Sequence, residues 1–250
     1  MFALLSCILL VISGLFYGAA FIRRKNYLLG LEFLIVGISA SNFTTFIATG
    51  WQANYNIAIF LDAFSRGVGV PVIATLGLMA VTHDYKPSPA KDILIFVAGF
   101  AATGVYFLSG IIAGFLPYFY VFMWSAYTLY LCYFTLQLAR AGEALHTLAT
   151  IVGGLAGLVV ALRYDFFPIP GDDTKMVFMT MAFLAWSYSM VQLYYDLPPG
   201  FSTTSNLVES VFRAGDGSEK AFYRRADSRL PQAGGGRCAG EGTVSPTRLQ

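Results

Sequence analysis

Charge is scarce in this chain. Asp, Glu, Lys and Arg make up 12% of its 250 residues, about half of the roughly 25% usual in soluble globular domains. That shortage excludes an ordinary water-soluble fold. Cysteine is nearly as rare: Cys7, Cys132 and Cys238 stand far apart with no C-x-x-C pair, which argues against a disulfide framework or a cysteine zinc site. The two histidines, His83 and His146, both fall near cytoplasmic ends rather than deep in facing helices and show no pattern of supporting partners, so no haem or metal centre is expected. No G-x-S-x-G, H-E-x-x-H or P-loop sequence occurs, and the chemistries those motifs support are not indicated. A net charge of +2 carries little information by itself. The expectation is a protein that is not an enzyme, carries no cofactor and binds no nucleic acid.

What the chain has in abundance is apolar sequence, 56% of its residues. A hydrocarbon core of about 30 Å is crossed by about 20 helical residues. Seven apolar runs meet that length, at 2–22, 27–50, 56–82, 93–115, 118–139, 144–163 and 175–196. Each must be a helix, because lipid offers a spanning backbone no hydrogen-bond partner. The reading is an all-α membrane protein, a seven-transmembrane-helix bundle over 1–196.

The distribution of charge orients it. Arg23, Arg24 and Lys25 follow the first run, Lys86 and Lys91 the third, Arg140 the fifth, and Arg213, Lys220, Arg224, Arg225 and Arg229 the seventh. The alternate connections are poor in positive charge. The positive-inside rule then places the N-terminus outside and the C-terminus in the cytoplasm. The basic cluster lies after the first run rather than before it, so that run reads as an uncleaved anchor despite the small residues at 18–20. Short connections leave no room for a soluble catalytic domain and fit a multi-pass protein of the bacterial inner membrane. From 197 to 250 the sequence turns rich in Gly, Ser, Ala and Arg with few large apolar residues, the composition of a disordered basic cytoplasmic tail.

Small residues recur every fourth position in several runs. Ala149, Gly153, Gly157 and Ala161 form one ridge, Gly110 and Gly114 a second, Gly14 and Gly18 a third. Such ridges let helices approach closely. They serve packing within the bundle, with a homo- or hetero-oligomer contact through Gly153 and Gly157 as the other reading. Mild polar stripes, Ser125, Thr128, Cys132 and Thr135 in the fifth run and Ser189 with Gln192 in the seventh, read as hydrogen bonds between helices.

Ionisable residues inside the runs are few, and each is a site candidate because charge in a bilayer is expensive. Asp62 and Arg66 are four apart, neighbours on one helical face with the acid on the favoured N-terminal side. Ser39 and Asn42 of the second run fall at similar depths opposite them. Glu32 shares their stripe but lies about 12 Å further along at about 1.5 Å per residue. It is a candidate proton or ion relay, with direct pairing to Arg66 disfavoured. Gly67, Gly69 and Pro71 weaken the third helix immediately after Arg66: Pro71 cannot donate to the carbonyl of Gly67. A kink or a break is expected there, and a break would expose N–H groups and a positive dipole end beside Arg66, a combination that attracts anions.

The functional expectation is a small-solute transporter or permease with a substrate site at Asp62, Arg66, Asn42 and Ser39, taking a small anionic or polar solute. The competing expectation is a non-transporting membrane subunit or sensor that acts through a protein partner, with Asp62 and Arg66 as a self-neutralised structural pair.

Overall fold

The computed structural model describes residues 2–83, 88–109, 114–140, 142–167, 169–172 and 176–197. Lys86, Gly110, Lys175, Cys238 and the tail beyond 197 lie outside the described residues, so the readings placed on them stay expectations. Among the described residues all regular structure is helical. The helices are α1 (Phe2–Arg23), α2 (Tyr27–Thr49), α3 (Gln52–Phe64), a π-helical stretch (Ser65–Ala74), α4 (Thr75–Thr82), α5 (Pro89–Ser109), α6 (Leu116–Arg140), α7 (Ala144–Asp165) and α8 (Met176–Asp196). A helix occupies each of the seven apolar runs. Six of the described helices are long and apolar enough to cross a membrane, counting 52–82 as one. Large apolar side chains such as Phe122, Leu129 and Leu145 point outward, as lipid-facing positions do.

The chain order around the bundle follows from which helices touch. α1 packs along α2 and α8, α8 along α7, α7 along α6, and α6 against the π stretch, which returns to α2. The long helix 52–82 thus closes a ring, while α5 packs against α3 and the π stretch. Phe64 and Phe100 stack there at 4.1 Å between ring centroids.

Two glycine-lined contacts set the closest approaches. A Cβ on Gly14 would meet the Gly37 backbone at 2.6 Å, and one on Gly18 the carbonyl of Gly30 at 2.9 Å, so α1 and α2 touch backbone to backbone. Gly157 accommodates the indole of Trp124 and Gly153 the side chain of Gln192. Both glycines of that ridge are therefore covered inside the chain.

The ends of α1 and α2 are tied by side chains. Asn26 caps α2 by accepting from the Leu29 N–H at 3.2 Å and donates to the Gly77 carbonyl of α4 at 2.9 Å. Arg24 donates to the carbonyls of Tyr194 and Leu197 at 3.0 and 2.6 Å and lies over the Tyr194 ring. It thereby satisfies acceptors that a helix C-terminus leaves open.

The expected break at Gly67, Gly69 and Pro71 is not there. The chain stays helical from Gln52 to Thr82 and widens through Ser65–Ala74 into π geometry. In an α-helix the ring of Pro71 would collide with the carbonyl of Gly67. A wider turn moves that carbonyl away and keeps the backbone bonded one residue further along. No new helix N-terminus arises beside Arg66, so the dipole part of the anion argument falls.

Candidate functional site

The π stretch carries the centre of the site. Arg66 Nε lies 2.9 Å from Asp62 Oδ2 in an ion pair, the expected pairing along one face. Its guanidinium also lies 4.5 Å from the centroid of the Tyr120 ring on α6, a cation–π placement that steadies the cation. The pair is not sealed: the side chains retain 14% and 29% of their exposure. They open on a cavity of about 50 Å³ enclosed by α1, α2, α3, the π stretch, α7 and α8. That is room for a few waters or a small ion.

The cavity wall is mainly apolar, from residues such as Leu10, Val36, Phe183 and Ala182, with a few polar residues among its lining. Ser39 reaches it while donating to the Ala58 carbonyl across the α2–α3 contact at 2.9 Å. Ser65 and Trp186 line it too, and neither the Ser65 hydroxyl nor the Trp186 indole N–H has a hydrogen-bond partner among the described residues. A mostly apolar chamber with a few convergent polar groups is the usual form of a small-molecule site.

The structure therefore brings together Asp62, Arg66 and Ser39 of the expected constellation. Asn42 does not line the cavity and instead donates to the Ile38 carbonyl of its own helix at 2.9 Å. Glu32 lies closer to the π stretch than expected. Its carboxyl group sits against Gly69, where any side chain would overlap it, and the Ser65 hydroxyl faces it at a geometry short of a hydrogen bond. The displaced depth has a simple cause. The long helix begins at Gln52, not at 56, so Gly69 and Glu32 lie equally far from the turn at Gly50 and Trp51.

A second polar cluster was read in the sequence only through Gln192, whose expected hydrogen bond between helices is formed; its other members went unnoticed. His146 and Thr150 on α7 face Gln192 and Asp196 on α8. Asp196 accepts from Thr150 Oγ1 at 2.9 Å and is hydrogen-bonded to His146 Nδ1 and Gln192 Nε2. Gln192 also donates to Thr150 Oγ1 at 2.9 Å. The available signal was two polar pairs each spaced by four, His146 with Thr150 and Gln192 with Asp196, which place each pair on one helical face. Among the described residues no group of His, Cys, Asp and Glu is arranged to hold a metal ion.

No family model, curated protein or solved structure matches the chain.

Proposed function

We propose that the protein is a small-solute permease of seven membrane-crossing helices, with α5 as the seventh, the N-terminus outside and the C-terminus in the cytoplasm. The arginine and lysine residues at the 23–25 turn and at Arg140, against none between Gly50 and Asn56, support that orientation. The bacterial inner membrane is its location under this reading. The substrate is a small anionic or polar solute held by Arg66, with Asp62, Ser39, Ser65 and the Trp186 indole completing the chamber.

The observation that carries this reading is the cavity that reaches the Asp62–Arg66 pair. A purely structural ion pair gains nothing from adjoining space, because cavities forfeit packing energy. A π-helical segment is also common at functional positions. The partner-binding alternative has less support, since Gly153 and Gly157 are occupied by Gln192 and Trp124 of the same chain.

The test is flux through the full chain reconstituted in liposomes, with nitrate, sulfate and phosphate as probes. Arg66→Gln is expected to abolish the flux seen with the unmodified protein while insertion and helical content stay intact. Full flux in that variant overturns the site, and so does a variant that no longer folds.

A further inference from the structure

Glu32 is wholly withdrawn from the surface, on a helix that packs against α1, α3, the π stretch and α4. The ionisable side chains on those elements are Cys7, Tyr17 and Arg23 on α1, Tyr55 and Asp62 on α3, and Arg66 on the π stretch, with none on α4. None pairs with Glu32. Arg66 is engaged by Asp62 and Tyr120, and among the described residues neither Glu32 oxygen has a hydrogen-bond partner. An ionised carboxylate buried with neither a cation nor a donor is costly.

The same carboxyl group has a route outward. Ser65 faces it, is itself buried, and also lines the cavity that holds Asp62 and Arg66. A hydroxyl both accepts and donates, so Ser65 can take a proton on one side and give one up on the other. Gly69 leaves the space that the carboxyl group fills.

We propose that Glu32 is a proton-binding site coupled to the solute cavity through Ser65. The O–H bond of the Glu32 acid breaks and leaves the carboxylate. Ser65 accepts that proton and gives up its own hydroxyl proton, which passes through water in the cavity they share to the Asp62 carboxylate. Asp62 becomes a neutral acid and no longer offsets the charge of Arg66, whose guanidinium then attracts an anionic solute. The site rests on the permease reading for its purpose, but its protonation does not depend on any solute.

The first measurement is therefore independent of transport. Infrared difference spectra of the full chain in lipid nanodiscs, taken on stepping the pH, should show the C=O band of a protonated carboxylic acid. That band should vanish in Glu32→Gln, whose amide matches the neutral acid in shape, and persist in Asp62→Asn. Gly69→Ala, which crowds the carboxyl group, should shift it. No such band in the unmodified protein, or a band unchanged in both Glu32→Gln and Gly69→Ala, overturns the proposal, and the Gly69 variant decides if Glu32→Gln does not fold. The second measurement is nitrate flux into liposomes with and without an inward proton gradient. The gradient should accelerate it in the unmodified protein and have no effect in Ser65→Ala. Flux that ignores the gradient in the unmodified protein removes the proton coupling and leaves the permease standing. A Glu32 band with no flux of any probe removes the permease reading and leaves the proton site.

Discussion

Glu32 and Asp196 are both acids buried in apolar helices, and they live under opposite terms. Asp196 is bonded through one oxygen to His146 and through the other to Thr150 and Gln192. Glu32 makes no hydrogen bond with either oxygen among the described residues. Burial is nearly the same, 6% and 0% exposed, so solvent does not separate them; partners do. A fully satisfied network rigidifies the elements it joins, and this one bolts α7 to α8 near the end where Arg24 also grips α8. An unsatisfied buried group costs stability wherever it sits, and such a group calls for an explanation other than packing. The first acid belongs to the architecture; the second is left unexplained by packing, and the proton site proposed above would account for it.

Substituting each acid with an apolar residue of similar size tests that assignment and should give the largest effects, of opposite sign. Asp196→Leu leaves the His146 ring and the Gln192 amide short of an acceptor, at about 1–3 kcal/mol for each group that finds no replacement. Glu32→Met removes a polar group that has no partner and should stabilise the fold by about 1–3 kcal/mol. Thermal unfolding of the purified protein in detergent reads both. Equal destabilisation by the two would erase the distinction.

Much of the bundle was legible in the sequence because lipid forces apolar length into helix. The runs at 27–50 and 118–139 became Tyr27–Thr49 and Leu116–Arg140. The start of the long helix was missed because its first turn is polar. Gln52 and Asn56 bond to each other at 3.1 Å across one turn and Asn54 is buried, so residues that read as a loop extend the helix back to the turn at Gly50. Gly67, Gly69 and Pro71 marked the right place with the wrong outcome. Local propensity says only that an α-helix is weak there. Whether it breaks or widens depends on what packs against it, here Glu32 on Gly69 and the rings of Phe119 and Tyr120 on Gly67. The Asp62–Arg66 pair was readable because its members are one turn apart. His146 and Asp196 are 50 residues apart, and they meet only because α7 and α8 run side by side.

Gly69→Ala sharpens the comparison from the side of the neighbour. The added methyl overlaps the Glu32 carboxyl group, and overpacking of this kind costs about 1–3 kcal/mol. If Glu32 is what occupies that space, the cost should largely disappear when Gly69→Ala is made together with Glu32→Ala. A double-mutant cycle on unfolding free energies measures the coupling. No rescue would mean that Gly69 is required by the π geometry itself and not by the acid.

The smallest effects separate two hydroxyl- and amide-bearing residues of α2 that looked equivalent in sequence. Ser39 bonds across to Ala58 on α3 and reaches the cavity, whereas Asn42 bonds only within its own helix. Hydrogen bonds between membrane helices are worth about 0.6 kcal/mol on average, so Ser39→Ala should cost about that much. It should also lower solute flux by removing one of the few polar groups in the chamber. Asn42→Ala frees a carbonyl that keeps its helical bond and should change neither stability nor flux measurably. Unfolding curves and liposome flux on the two variants, side by side, decide whether α2 contributes to the site through Ser39. Greater loss of flux from Asn42 than from Ser39 would move the solute path away from the cavity beside Arg66.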